Sequence, residues 1–407
     1  MKVGIGYGNH EDSYQLGKKT ASEAMRQAAI TSPDLVLAFI SKQSDAEAFY
    51  NGLRAVVGSR TPIIGGSAVG VITNDHLSYN DSPAGVAVLE FNTSQIQYAT
   101  ATGIDQSEYQ AGQYLAEQLT AGPDAKLLLM FYDSVKIPAT PGAPPVMNAS
   151  PPLIAGIETA LPPGIPIVGA GLLSDSTFGT TIQFSGSSIQ QQVVVGVLLS
   201  GAIEPHVTIT HGCSLKDGIY HTITKMQGPI IIEIDGRPAT AVVDEEYGGP
   251  SWREQLPVRR LTIGVNHGDR FGDFQEDQIV ARLIVGATPG DGGLVLFEPD
   301  LEEGTEFQFL LRDGQMMIES ARRNAIALVE QIITAGHTPR FALYIDCAGR
   351  CAAISNTLTE EASEIQAVMN QHGIPLLGFY SGVEVAPLLG RSRGLDWTGV
   401  LLILAEA

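Results

Sequence analysis

The sequence predicts an α/β protein in two halves, residues 1–205 and 206–407, with mixed sheets built from repeated helix–strand–helix–strand–strand units. Three observations carry that expectation. A box of proline, two aliphatics and glycine occurs three times, as Pro62 to Gly65, Pro166 to Gly169 and Pro375 to Gly378. Each box runs straight into small or polar residues, which is how α/β proteins place chemistry at the carboxyl edge of a sheet. The stretch from box proline to the next apolar strand is also nearly constant: Pro62 to Val86, Pro166 to Val193, Pro375 to Val400. Finally, His206 to Val243 alternates like β structure, and Arg259–Val265 and Gln278–Val285 add further strands, which gives the second half a mostly antiparallel segment.

Val3–Tyr7 reads as a first strand, and Tyr14, Gly17, Ala21, Ala24, Met25 and Ala28 recur at helical spacing over 13–30. LVLAFI (35–40) is a buried strand by its unbroken apolar run, and Ser44 with Glu47 forms a capping box for a helix that Gly58 ends. After the first box, GVAVLEF (85–91) closes the unit. The order repeats with a helix through Tyr109–Leu119, KLLLMF (126–131), a helix opened by Ser150 and Pro151, the second box and VVVGVLLS (193–200). Between them, Ile137–Pro152 holds six prolines and reads as a stiff exposed loop. The third copy runs from the helix at Ile318–Ile332 through RFALYID (340–346), a helix led by Glu360 and Glu361, the third box and GVLLILAEA. Before it, IIIEIDGRPATAVV reads as a hairpin turning at Asp235–Gly236, and Asp291-Gly-Gly as another turn. One unit of roughly ninety residues thus occurs three times.

A chain of 407 residues exceeds one ordinary core, and 44% hydrophobic content with mean hydropathy +0.10 supplies ample apolar material. The net charge of −20 excludes a basic face for nucleic acid and opposes anionic membranes. No apolar run approaches the roughly 20 residues of a spanning helix, and MKVGIGYGNHEDS lacks a signal-peptide core, so a cytoplasmic protein is expected. Cys213, Cys347 and Cys351 are too few and odd for a disulfide framework, and Cys347 and Cys351 have no zinc-ligand spacing. Neither a phosphate-binding glycine loop nor a Gly-x-Ser-x-Gly nucleophile elbow is present.

PDLVLAFI, TPIIGGSAVGVI and IPIVGAGLLSD in the first part, then IEIDGRPA, LTIGV, VARLIVGA, EEGTEFQFLLRD, YIDCAGRCA and IPLLGFYSGVEVAP, run in an order that resembles the FIST family. The resemblance implies a FIST N-terminal domain over 1–205 and a FIST C-terminal domain over 206–407. It also implies a cytoplasmic sensory module of signal transduction that binds a small molecule such as an amino acid. Many relatives carry a kinase, chemoreceptor or cyclase output. Here the output is expected to pass through a separate partner, such as a histidine kinase or cyclic-nucleotide enzyme. The acidic run after the second box is reduced to Leu172-Leu-Ser-Asp175.

The candidate ligand-binding residues cluster after the boxes. Arg350, just past a strand end, is placed to hold a carboxylate bidentately, or else to pair internally with Glu384 or Asp346. Glu384 or Asp175 would take an ammonium; Gly66 and its neighbours would supply backbone N–H groups. Ser67, Asp175 and Ser381 occupy like places after each box, beside Tyr380. Cys347 next to Arg350 reads as a depressed-pKa thiolate or as an inert core thiol, and a Cys-dependent enzyme is the weaker alternative. No catalytic residue, metal or cofactor is expected. A haem-binding nitric-oxide sensor, using one of the eight histidines, is the other alternative the family implies.

Overall fold

In the computed structural model, which describes residues 1–140, 145–288, 290, 292–352 and 360–407, each box becomes a fully buried strand: Ile63–Ser67, Ile167–Leu172 and Leu376–Ser381. Each runs parallel to an earlier strand of its own unit, Leu35–Ile40, Ala125–Asp133 or Thr338–Cys347. The register sets Gly65, Gly169 and Gly378 opposite Ala38, Met130 and Tyr344. A Cβ at those glycines would lie 2.1, 1.7 and 2.7 Å from the partner's carbonyl oxygen. The repeated glycine is therefore a close-approach requirement of the parallel pair.

Three six-stranded sheets follow, identical in order. The first runs Lys2–Asn9, Pro83–Glu90, Leu35–Ile40, Ile63–Ser67, Gln183–Gly186, Ile189–Gln190. The second runs Gln95–Thr102, Val193–Ser200, Ala125–Asp133, Ile167–Leu172, Val383–Leu388, Arg391–Leu395. The third runs Ile203–Thr210, Gly399–Glu406, Thr338–Cys347, Leu376–Ser381, Val71–Thr73, Leu77–Ser78. In each, the outer hairpin comes from a different unit. The hairpin after box one completes sheet three, that after box two completes sheet one, and that after box three completes sheet two. The units are thus closed into a ring by exchange of hairpins.

The inner faces of all three sheets share one apolar core, where Phe39, Phe131 and Phe379 meet with ring centroids 3.8–5.9 Å apart. The outer faces are each covered by two helices: Ser13–Gln27 with Ala46–Val57, Glu108–Glu117 with Ser150–Ala160, and Gly314–Thr334 with Glu361–Gln371. Strands buried on both faces read as unbroken apolar runs, which is why LVLAFI and VVVGVLLS were legible. Two helix starts differ from expectation. Asp45 rather than Ser44 caps its helix, accepting from Ala48 N at 3.0 Å, and Ala149 precedes a helix in which Ser150 is already the first residue. Among the described residues no helix is long and apolar enough to cross a membrane.

The antiparallel segment does not lie between units two and three. Ile203–Thr210, which spans the division at 205/206, is the edge strand of unit three and pairs along Gly399–Glu406. The segment is inserted after it, as an eight-stranded antiparallel sheet within 213–312 around its own core of Ile223, Trp252, Ile263, Phe307 and Phe309. Asp235 (φ 53°) and Gly236 (φ 75°) make the expected tight turn, but the residues after Pro238 form the helix Ala239–Tyr247 instead of a long return strand. Around the prolines, Val135–Ile137 pairs with Val146–Met147 as a short ribbon; residues 141–144 and the turn expected at Asp291 lie outside the described residues.

Candidate functional site

The carboxyl ends of the three box strands meet. Val69 N donates to Tyr380 O (3.2 Å) and Tyr380 N to Gly70 O (3.1 Å), joining boxes one and three. Gly382 N donates to Gly171 O at 2.8 Å, joining boxes three and two. Ser67 closes the ring, its N–H donating to Ile182 O (2.9 Å) and its Oγ accepting from Ile182 N (3.0 Å). The strand registers place Ser67, Gly171 and Tyr380 in equivalent positions, with Ser381 one residue further, so Ser67, Asp175 and Ser381 do not correspond as the sequence implied. Gly66, at φ 145°, is wedged between Phe39 and Gln183, and a Cβ there would lie 2.1 Å from Ile182 O. Asp175 sits apart, paired with Lys42 and accepting from Thr177 N (2.7 Å) and Oγ1 (2.6 Å).

Arg350 takes the internal alternative. Its Nε donates to Glu361 Oε1 (2.6 Å), its Nη2 to Glu361 Oε2, and its Nη1 to His211 O (2.9 Å) and Trp397 O (2.8 Å); Asp346 Oδ1 lies 3.3 Å from Nε. Every guanidinium nitrogen is occupied, and the residue is 1% exposed. The planar fork thereby ties a helix start, the end of an edge strand and the loop before the closing strand. Tyr344 OH adds a bond to Glu361 (3.0 Å), and Tyr380 OH donates to Glu360.

Glu384 is fully buried, accepting from Ser381 Oγ (2.7 Å) and Thr398 N (3.2 Å), and Ser381 Oγ also reaches Asp346 O (3.1 Å). Burial pushes its carboxyl to about 8, against those hydrogen bonds. His211 bonds Ile279 O through Nε2 (2.7 Å) and Thr398 Oγ1 through Nδ1 (2.9 Å); burial, then the Arg312 charge, pull it down to about 3. Cys347 is buried, and desolvation with the Glu384 charge pushes its thiol well up, the reverse of an activated thiolate.

The Glu384 shift gives a pH signature. Folded Glu384 keeps its proton to about pH 8, whereas the unfolded group releases it near 4.5, so its stabilisation is complete at low pH and lost as pH climbs through 8. Glu384→Gln should match the wild type in urea denaturation at about pH 4, below the unfolded pKa. At pH 8.5 it should exceed it, the gap widening by roughly 1.4 kcal/mol per pH unit between the two pKa values. A difference that stays constant with pH would show the carboxyl already ionised.

Beside these satisfied groups stand several that have no hydrogen-bond partner among the described residues. Arg312, 4% exposed, leaves Nε, Nη1 and Nη2 without an acceptor, and Trp397 Nε1, against whose ring the guanidinium stacks at 5.4 Å, is also unbonded. Asp346 is held by its 3.3 Å ion pair with Arg350 Nε; burial and then the Glu361 charge push its carboxyl well up. In unit two Asp133 keeps Oδ1 unbonded, with burial raising it to about 6. Buried polar atoms are nearly always bonded, so such a concentration asks for an explanation. The sequence reading missed Arg312 and Trp397. The signal available was an arginine closing the apolar run of EEGTEFQFLLRD, one residue before a helix cap. A surface groove of about 500 Å³, lined by Ile157, Pro162, Pro166, Pro387 and Arg391, lies at the amino end of the second box strand, away from this chemistry.

The FIST N domain model matches residues 34–237, and the FIST C domain model matches 239–387. An uncharacterized protein of Mycobacterium tuberculosis is 25% identical over 409 residues, covering 100% of both chains. One of Mycobacterium bovis is 26% identical over 417 residues, covering 100% of this chain and 99% of its own. Among solved structures, a cyanuric acid hydrolase from A. caulinodans aligns over 100% of this chain and 99% of its own, at 10% identity and TM-score 0.35. A chorismatase aligns over 93% of each chain, at 10% identity and TM-score 0.33. Scores that low carry nothing about fold or chemistry. With both domain models matched in order across most of its length, this chain belongs to the FIST family, a FIST N domain followed by a FIST C domain.

Proposed function

We propose that this protein is a cytoplasmic sensory protein of signal transduction that reversibly binds a small polar metabolite, such as an amino acid, without turning it over and without a resident cofactor. FIST domains are associated with signal-transduction sensing. The observations that carry the reading are the convergence of the three box ends and, in the same half of the chain, the buried polar atoms of Arg312 and Trp397 that have no hydrogen-bond partner among the described residues. A ligand supplying those bonds would recover the desolvation cost they carry in its absence. In this reading Arg350 and Glu384 build the floor of the site, and Cys347 is a packing residue.

The insert meets the body through His211, Arg282 and Arg350, with Arg282 donating to Gly394 O at 3.1 Å. Binding beneath it would shift the insert against the ring of sheets, and a separate partner, such as a histidine kinase or cyclic-nucleotide enzyme, would read that shift. A thermal-shift panel of amino acids and related polar metabolites tests the proposal. At least one compound should raise the melting temperature in proportion to the logarithm of its concentration above Kd. A panel that leaves it unmoved throughout favours a ligand-free scaffold.

A further inference from the structure

We infer that Arg312 is the anion receptor of this protein: its guanidinium, with Trp397 Nε1–H beside it, forms a buried site for a small carboxylate bearing an apolar stem. The inference rests on the binding role proposed above and names the ligand class and the residue that recognises it.

Arg312 ends the strand Glu306–Arg312 opposite Cys213, and its backbone N–H is fixed to Arg260 O at 3.0 Å. The helix Gly314–Thr334 starts two residues later, so its positive amino end adds to the local potential. The guanidinium faces the Trp397 ring, with Cys213 as its cross-strand partner, and Cys347, Arg350, Glu361 and Asp396 are near enough for their charges to act on it or be acted on by it. Glu361, a carboxylate whose charge reaches Arg312, is committed to Arg350 through both oxygens. Two arginines of the same cluster are therefore treated oppositely, one saturated and one bare. Trp397 backs the guanidinium and leaves its N–H edges open, the geometry a planar carboxylate meets with two parallel hydrogen bonds. Trp397 itself holds φ at 51°, a left-handed conformation unusual for a bulky residue, with its carbonyl pinned by Arg350 at 2.8 Å. Burial, and with it the like charge of Arg350, pulls the Arg312 pKa down to about 10 against the opposing pull of Cys213, Cys347 and Glu361. Leu283, Met317 and Cys347, which pack with Trp397, suit a hydrocarbon stem on the carboxylate.

The chain has two tryptophans, so Trp252→Phe leaves Trp397 as a local fluorescent reporter in the full-length protein. Isobutyrate and benzoate are titrated against their neutral amides, with inorganic phosphate as a separate arm. The carboxylates should change Trp397 emission saturably and raise the melting temperature, the amides should bind at least about tenfold more weakly, and Arg312→Met should abolish the preference. Without ligand, Arg312→Met should raise the melting temperature, because it removes an unpaired buried cation. A fall would mark Arg312 as merely structural and overturn the inference. So would equal binding of acid and amide, a response to phosphate alone, or carboxylate binding that survives Arg312→Met. If a neutral or cationic metabolite binds Arg312→Met undiminished, this inference fails and the sensory reading stands. If no compound in either experiment produces a change, both fall.

Discussion

Replacing Arg350 with methionine should destabilise the protein by about 3–5 kcal/mol, the cost of breaking a buried ion pair from one side. The fork bonds two oxygens of Glu361 and the carbonyls of His211 and Trp397, all in an environment with almost no water. Methionine fills much of the volume but leaves Glu361 and Asp346 without their counter-charge and two carbonyls without donors. Because the three segments held by Arg350 converge only in the folded chain, little of this loss is offset in the unfolded state. Denaturant unfolding at pH 7 measures it. A loss below about 1 kcal/mol would mean that the guanidinium is not the junction's main tie. The contrast with Arg312→Met, expected to stabilise the unliganded protein, is a test of sign. Two arginines in one buried cluster should respond in opposite directions because one has acceptors and the other has none.

The second large effect is expected at the box glycines. Gly169→Ala should cost about 3 kcal/mol or more, since its Cβ would lie 1.7 Å from Met130 O and 2.6 Å from Met130 C. Both atoms belong to the backbone of a neighbouring buried strand, so no rotamer change relieves the contact, and the parallel pair must spread. Gly378→Ala should cost less, its Cβ lying 2.7 Å from Tyr344 O, with the other two close atoms at 3.1 and 3.2 Å on side chains. The order of melting temperatures, wild type above Gly378→Ala above Gly169→Ala, checks the account. The reverse order would show that strand spacing does not set the need for glycine.

Local patterns were readable because their causes are local. An unbroken apolar run such as LVLAFI marks a strand buried on both faces, and helical spacing through Gly17, Ala21 and Ala24 marks a face against a sheet. The threefold recurrence of the Pro–Gly box was legible for the same reason, since a neighbouring carbonyl imposes each glycine wherever the parallel pair forms. The helix at Ala239–Tyr247 was misread because IIIEIDGRPATAVV carries β-branched residues on both sides of the turn, and packing of Val242 and Val243 against the insert core overrode that preference.

By itself, then, the sequence determined the α/β class, the three repeated units, the added antiparallel sheet and the family. The first three follow from periodicity, turn chemistry and spacing along a few tens of residues, and the family from the resemblance of short motifs in their order. Which unit receives each hairpin, where the insert enters, and which arginine is left without a partner were decided by the tertiary structure alone. Val383–Leu388 finds Ile167–Leu172 across more than two hundred residues, and Arg350 finds Glu361 only once a helix and a strand end have been brought together. A buried charge is neutralised or bare according to what packs around it, and no spacing along the chain encodes that distance.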